Sequence, residues 1–179
     1  FGIEHGNEEY RKTVLKRTLT NDRMRTAFEM TSGKKYVTNG NCIIGMPEEN
    51  RDLVFDSVKF TRTLPEDVEK TGAFIFAPYH GTPLRDLAVE RGYIKDADSI
   101  CDITRPEDSM LDQPQLPKEE LVGLARTFGL YQTLPKSQWK YIKDAEGNTK
   151  DAVDLRKKLL KDHGELEGSR LQQADTVDA

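Results

Sequence analysis

Short apolar runs alternate with helical segments over the first 92 residues, and this alternation limits the possible folds more than any other feature of the sequence. The apolar runs predict strands at residues 1–4, 35–45 and 72–78. Helical segments are predicted at residues 7–17, 20–32, 48–64 and 82–92. Strands joined through helical crossovers form a parallel sheet covered by helices. Three strands cannot close a barrel, so the sequence predicts either a small open sheet or one part of a larger α/β barrel whose other strands lie upstream.

The chain after residue 92 lacks this alternation. Residues 93–117 contain three prolines and many acidic side chains, which predicts a long loop. Helical spacing returns at residues 117–134 and again from Pro135 onward. We therefore predict an α/β region at residues 1–92, a loop and helical extension at residues 93–146, and a charged helix with a disordered tail at residues 147–179.

Composition excludes several classes of partner and location. The chain has 27 Lys and Arg against 31 Asp and Glu and no basic stripe, so nucleic acid is not expected as a partner. No apolar run approaches the roughly 20 residues that a transmembrane helix needs. Two cysteines, Cys42 and Cys101, cannot form a disulfide framework or a four-thiolate metal site. We expect a cytoplasmic protein with no transmembrane segment.

Polar residues and turn formers follow each predicted strand. Ligands of parallel α/β sheets bind beyond the carboxyl ends of the strands, where the loops present free backbone groups. This rule selects Glu4 and His5 after the first strand, residues 45–48 after the second and residues 78–82 after the third. Because all three edges carry suitable residues, they predict one binding site at a common edge of the sheet.

Each of these residues also has a structural interpretation. Glu4 could accept hydrogen bonds from a ribose diol or an ammonium group, or form an ion pair at a helix start. Glu48 could cap the helix that follows it, and Gly45 either admits a ligand or serves the turn. His5 and His80 could form a metal pair if a third ligand were present; the other interpretation is a turn histidine or one that faces a substrate.

Three segments at these edges resemble one enzyme family. The segment TNGNCIIGMPEENRDLVFDSVKF resembles the fifth strand of radical S-adenosylmethionine enzymes, whose pattern is GxIxGxxE. Ile43, Gly45 and Glu48 match that pattern, while Asn41 occupies the place of the first glycine. FGIEHGNEEYRKTVLKR is similar to the fourth strand and its helix, and GAFIFAPYHGTPLRDLAVERGYI to the sixth strand with its PxxGTPL continuation. The resemblance covers residues 1–146 and is strongest to members with an upstream cobalamin-binding domain.

The resemblance implies a TIM-like partial (βα)6 barrel, of which this chain supplies the last three strands and a helical C-terminal extension. In that family Glu4 would bind the ribose or the methionine amino group, and Arg17 the methionine carboxylate. Ile43 would contact the adenine face, within the motif that also includes Gly45 and Glu48. The adenine edge would meet the backbone of three residues at the end of the last strand, namely Phe76, Ala77 and Pro78.

From their places after the first and third strands, His5, Tyr79 and His80 are the candidates to face the small-molecule substrate. The resemblance also implies an iron–sulfur cluster, which this sequence cannot hold. The CxxxCxxC motif that binds the 4Fe-4S cluster is absent, and neither Cys42 nor Cys101 can replace it. We therefore expect this chain alone to be inactive, and we expect its partner to be the cluster-binding N-terminal half of the same enzyme.

Three functional hypotheses follow. The leading one is the C-terminal part of a radical S-adenosylmethionine enzyme, which forms a 5′-deoxyadenosyl radical or transfers a methyl group, with S-adenosylmethionine, a 4Fe-4S cluster and cobalamin as the implied cofactors. The second is a non-catalytic half-barrel module that binds a nucleotide or a protein, which the lack of cluster cysteines suggests. The third is a metal hydrolase that uses His5 and His80.

Overall fold

The computed structural model describes residues 1–70, 72–100 and 108–175. Its strands are β1 (Gly2–Glu4), β2 (Thr38–Asn39), β3 (Asn41–Ile44), β4 (Val68–Glu69) and β5 (Ala73–Ile75). Its α-helices are α1 (Glu8–Thr13), α2 (Asn21–Glu29), α3 (Arg51–Thr61), α4 (Pro83–Glu90), α5 (Lys118–Thr133), α6 (Trp139–Asp144) and α7 (Lys150–Asp175). A 3₁₀ turn at Lys136–Gln138 precedes α6.

The main sheet has three parallel strands in the order β1-β3-β5. Strand β3 pairs with β5 through Cys42 opposite Ala73, Ile43 opposite Phe74 and Ile44 opposite Ile75, and its pairing with β1 is irregular near Glu4. The prediction of an α/β fold with three parallel strands and crossover helices is therefore confirmed. The larger six-stranded barrel remains a prediction.

The predicted strand at residues 35–45 is in fact two strands. Strand β2 pairs in parallel with β4, a two-residue strand that the sequence analysis did not anticipate, whereas β3 enters the main sheet. Gly40 separates them at a crowded point, because an added Cβ there would lie 2.6 Å from Ile3 Cδ1 and 3.0 Å from Phe28 Cζ. The chain therefore changes sheets at a residue that has no room for a side chain.

Two predicted helix boundaries were wrong. Helix α1 ends at Thr13 rather than near Arg17, and Lys16 has a φ of 55°, in the left-handed region that interrupts a helix. Helix α3 begins at Arg51, where the Asn50 side chain accepts the Leu53 N–H at 3.0 Å. The proposed capping role of Glu48 is therefore wrong, since Asn50 caps this helix.

The helices cover one face of the sheet. Ile3, Cys42 and Ile44 point into the main core and are buried there with side chains from α2, α3 and α5, including Phe28, Val54, Val58, Leu121, Leu124 and Phe128. On the other face Ile43 is half-buried and its register partner Phe74 is 58% exposed. Phe74 on this second face is therefore largely open to solvent within the described residues.

Helix α5, rather than α4, packs against β5 and beside α3. Helix α4 belongs to a second, smaller hydrophobic cluster with Ile94 and Leu111, against which Phe76 packs. The predicted loop at residues 93–117 is thus partly ordered around this cluster, although residues 101–107, including Cys101, lie outside the described residues. The described residues between β5 and α5 thus form a small packed unit beyond the carboxyl end of the sheet.

The C-terminal helices share the main core with the sheet. That core extends from Ile3 to Leu159, and Ala145 and Ile142 are fully buried in it. Helix α7 continues to Asp175, and residues 176–179 of the predicted tail lie outside the described residues. A search of the described residues finds no helix with the length and apolar character that crossing a membrane requires.

Asp67, which immediately precedes β4, forms hydrogen bonds with the turn after α2. Its carboxylate accepts the Gly33 N–H at 2.7 Å and the Ser32 hydroxyl at 2.9 Å. These hydrogen bonds lower the pKa of Asp67 below its ordinary value, and the bond from Gly33 has the largest effect. A carboxylate with a lowered pKa in the folded state stabilises the fold above its unfolded-state pKa, and this stabilisation is lost as the pH falls through the folded-state value.

We therefore expect Asp67→Asn to reduce the acid sensitivity of the protein. Urea unfolding at pH 7 and at pH 3 measures it: the loss of unfolding free energy on acidification should be smaller in the variant than in the wild type. An equal loss in both proteins would contradict this assignment.

Candidate functional site

Glu4 ends β1 in a constrained conformation and forms an ion pair with Arg17. Its φ of 63° lies in the left-handed region, which a residue with a side chain rarely adopts. Arg17 Nη1 lies 2.7 Å from Glu4 Oε1, and the Glu4 side chain is 28% exposed. The two residues that the resemblance assigns to S-adenosylmethionine are therefore in contact with each other at the end of β1.

The exposure of this pair lets a ligand compete for it. An ion pair that solvent reaches contributes at most about 1 kcal/mol, so replacing it with ligand contacts costs little. The carboxylate could accept hydrogen bonds from hydroxyl or ammonium groups, and the guanidinium fork could bind a carboxylate. The pair is thus chemically suited to a ligand that carries both kinds of group.

A leucine side chain of helix α5 lies close to Gly45. Gly45 has a φ of 82°, and a Cβ added there would lie 2.5 Å from Leu121 Cδ2 in α5. Of the two interpretations of this glycine, the structure favours the turn and its packing against α5. Gly45 is buried and no ligand contact is needed to explain it.

The sequence analysis missed Glu49, which is fully buried at the end of β3. One carboxylate oxygen accepts the His5 Nε2 proton at 3.0 Å, and the other accepts the backbone N–H groups of Gly45 and Met46, the latter at 3.1 Å. The Asn7 N–H donates to His5 Nδ1 at 3.0 Å, so that Nε2 carries the ring proton. Burial raises the pKa of Glu49, and these donors oppose the rise.

Gln113 forms hydrogen bonds with further backbone polar groups of the turn after β3. Its Nε2 donates to the carbonyl oxygens of Gly45 at 3.2 Å and Met46 at 3.1 Å, and its Oε1 accepts the Glu48 N–H at 3.1 Å. Together with the bonds from Glu49, these contacts engage both backbone polar groups of Gly45 and of Met46. The turn therefore cannot hold a ligand through the backbone of these two residues.

Glu48 is the exposed acid of this turn. Its φ is 67°, its side chain is partly exposed and its Oε1 pairs with Arg91 Nε at the end of α4. This contact joins the turn after β3 to the insertion that follows β5. Glu48 thus links two loops, and it does not contact Glu4 through any hydrogen bond or ion pair of the described residues.

The backbone polar groups at the end of β5 are only partly paired within the described residues. Phe76 N–H donates to the Ile44 carbonyl at 2.8 Å. The carbonyl of the buried Pro78 accepts a hydrogen bond from Arg85 at 2.8 Å. Ala77 is half-buried, and its carbonyl accepts the Tyr79 N–H at 3.0 Å. The Phe76 carbonyl has no hydrogen-bond partner in residues 1–70, 72–100 and 108–175. An acceptor is thus available beside Ile43 and Phe74.

His5 and His80 occupy different environments. His5 is in the core, where its ring lies 4.4 Å from the Tyr10 ring, so it does not face a substrate in this arrangement. His80 is exposed and bonds the Ser99 carbonyl through Nε2 at 3.1 Å, and Tyr79 beside it is exposed as well. The two histidines therefore lie in separate environments, and no group of three potential metal ligands occurs among the described residues.

A cleft lies on the helical side of the sheet. This cleft of about 330 Å³ is lined by residues of α1, α2 and α3, including Asn7, Arg25, Asp56 and Lys59. Asp56 accepts hydrogen bonds from Asn7 at 2.8 Å and Lys59 at 2.9 Å. Asp56 and Lys59 of the cleft thus pair with each other, and the cleft lies away from the exposed Phe74.

Comparison with known proteins gives no assignment: neither a scan against protein-family models nor a search of curated proteins finds a match for this chain. The candidate site is therefore defined by its own geometry. It consists of the Glu4–Arg17 pair, the half-buried Ile43, the exposed Phe74, and the Phe76 carbonyl, which has no hydrogen-bond partner among the described residues.

Proposed function

We propose that this chain is the adenosyl-binding C-terminal part of a radical S-adenosylmethionine enzyme. The observation that carries the proposal is the exposed Glu4–Arg17 pair at the end of β1, two strands away from the uncovered Phe74. A sheet with helices on one face and apolar side chains uncovered on the other is what one sector of a barrel would present toward the barrel interior.

Each group of the site has a counterpart in S-adenosylmethionine. Glu4 would accept hydrogen bonds from the ribose hydroxyls or the methionine ammonium group, and Arg17 would bind the methionine carboxylate. Ile43 and Phe74, which are register partners, would pack against the adenine face. The free carbonyl of Phe76 would accept a hydrogen bond from the adenine amino group.

The residues of this chain do not fit the cluster that the reaction needs. Cys42 is fully buried in β3, and burial raises the pKa of its thiol to about 12, which opposes the thiolate form that binds iron. The sequence contains only one other cysteine. The cluster ligands, and any cobalamin site, would belong to the N-terminal part of the enzyme, and the residues described here would bind and orient the adenosyl group.

Titration with S-adenosylmethionine tests the proposal. We expect NMR titration of the 179-residue chain to give saturable shifts at residues around Glu4 and Phe76. Glu4→Gln should weaken binding by about 10-fold or more, because a charge-assisted hydrogen bond contributes about 1.5–3 kcal/mol. The control is Asp22→Asn, which alters the exposed Asp22–Arg25 pair on α2 and should leave the affinity unchanged. The absence of any saturable shift, or equal affinity in Glu4→Gln, would contradict the proposal.

A non-catalytic binding module is the second candidate, and the lack of cluster ligands in this chain favours it. The two candidates differ in how much of the ligand this chain covers. A complete module should bind with a Kd of about 1 μM, whereas a barrel sector that covers one side of the ligand should bind only near 1 mM. The same titration separates them.

A further inference from the structure

The buried guanidinium of Arg11, in helix α1, joins two separate parts of the chain. The side chain is only 1% exposed. Its Nη1 donates to the carbonyl oxygen of His5, the residue after β1, and its Nη2 donates at 2.8 Å to the carbonyl oxygen of Leu19, shortly before α2. Nη2 also donates to Asn21 Oδ1 at 2.8 Å. Arg11 therefore connects the end of β1 to the segment that leads into α2.

The same residue holds Arg17 through its backbone. The Arg17 N–H donates to the Arg11 carbonyl oxygen at 2.9 Å, so residues 17 and 19 are both bonded to Arg11. Arg17 lies beyond the end of α1 and follows Lys16, whose φ is 55°, so no helix fixes its position. Arg11 is thus bonded to the neighbour of Glu4 and to the three-residue stretch that begins with Arg17.

The planar fork of Arg11, rather than its charge, suits this position. Within the described residues its guanidinium donates only to neutral oxygen atoms, and its Nε has no hydrogen-bond partner. Burying a charge without a counter-ion is costly, so an apolar side chain would serve packing alone at a lower cost. An arginine fork, in contrast, reaches acceptors on two segments and fixes their separation. This geometry favours a role in placing the two segments relative to each other.

We propose that Arg11 is a positioning residue that keeps the Arg17 guanidinium beside Glu4 and thereby gives the site its preference for ligands with a carboxylate. This inference rests on the proposed function, in which Arg17 binds the methionine carboxylate, and it assigns the placement of that guanidinium to Arg11. Because Arg11 is buried, it acts through Arg17 and does not touch the ligand. Without the fork, residues 17–19 are released, and binding of a carboxylate must order them again at a cost in affinity.

Two ligands that differ only in the carboxylate measure this preference. S-adenosylhomocysteine carries it, and 5′-S-(3-aminopropyl)-5′-thioadenosine is the same molecule with hydrogen in its place. We expect NMR titration of the wild-type chain to show at least about fivefold tighter binding of S-adenosylhomocysteine, because a guanidinium–carboxylate hydrogen bond is charge-assisted. Arg17→Met and Arg11→Gln should each lower this affinity ratio to about 2 or less, and the double variant should fall no further, since both changes remove one contact.

Arg85 offers a matched control for the loss of a buried guanidinium. It lies in α4, is 3% exposed and donates to the carbonyl oxygens of Pro78, Ala97 and Ser99. Arg85→Gln should lower the free energy of unfolding much as Arg11→Gln does, but it should affect the two ligands alike and keep the wild-type affinity ratio. A similar fall of the ratio in both variants would overturn the inference, because it would show a general effect of destabilisation.

The remaining outcomes separate the inference from the proposed function. A folded Arg11→Gln protein that keeps the wild-type ratio, while Arg17→Met loses it, would overturn the inference alone. Equal binding of both ligands by the wild type would contradict the roles of Arg17 and Arg11 together, and binding of neither ligand would contradict the proposed function as well.

Backbone ¹⁵N relaxation of the wild type gives a test that does not depend on how Arg11→Gln folds. Residues 17–19 should have order parameters near those of a rigid backbone, about 0.85, although they lie outside any helix. Values below about 0.6 would mean that Arg11 does not hold this stretch, and the inference would be overturned.

Discussion

Gly6→Ala should destabilise the fold by about 3 kcal/mol, because the glycine after β1 lies directly against the backbone of α3. An added Cβ would lie 2.5 Å from Ser57 Cα and 2.7 Å from the Asp56 carbonyl carbon, and neither can move without shifting the helix. The same contact includes a hydrogen bond from Gly6 N–H to Ser57 Oγ at 2.8 Å. Urea unfolding monitored by circular dichroism measures the change in unfolding free energy.

Gly129→Ala is the matched control for this substitution. Gly129 lies in α5, and apart from the backbone of its own helix no heavy atom of the described residues falls within 4 Å of the Cβ that alanine would add. Alanine is favoured over glycine in a helix by about 1 kcal/mol, so this variant should be as stable as the wild type or more so. Comparable losses in the two variants would show that crowding against α3 is not the cause.

Glu146→Ala should cost about 3 kcal/mol, since Glu146 is the common acceptor of a network that joins α3, α5 and α6. Its carboxylate is 8% exposed and binds Arg51 through two hydrogen bonds of 2.7 and 3.0 Å. It also accepts the Tyr131 hydroxyl at 2.7 Å and Lys143 at 3.2 Å. Without it the buried Tyr131 hydroxyl loses its acceptor, and Arg51 keeps only Glu120.

The comparison for Glu146 is an ion pair that solvent surrounds. Asp22 pairs with Arg25 at 2.8 Å but is 90% exposed, so Asp22→Ala should change the unfolding free energy by less than about 0.5 kcal/mol. Thermal and urea unfolding of both variants measures the difference. Equal effects at the two sites would mean that burial does not control the strength of these pairs.

Local patterns were sufficient to predict the parallel strands and most helices. The unalternated apolar run at Phe74 and Ile75 marks β5, and side chains such as that of Asn7, which accepts the Tyr10 N–H at 2.8 Å, mark helix starts. Strands β2 and β4 have two residues each, too few to produce a periodic signal. Which helix covers β5 depends on packing against α3, and no spacing within α4 or α5 reveals that choice.

Residues of the candidate site could be predicted only where the local sequence around a single residue indicates its role. A carboxylate that ends an apolar strand drew attention to Glu4, and Arg17 does contact it. Glu49 was missed because its neighbour Glu48 fits the sequence pattern, while the role of Glu49 depends on His5, 44 positions earlier. The closure of the turn by Gln113 likewise joins residues more than 60 positions apart. Such long-range contacts leave no mark in the local sequence.

The main core, which runs from Ile3 to Leu159, also governs how the chain can acquire its structure during synthesis. Ile3 of β1 and Leu159 of α7 belong to the same cluster, so this core is complete only once residues up to 159 have left the ribosome. Long-range closure of this kind is slow compared with local helix formation. Until then the part of this core that α7 covers stays incomplete.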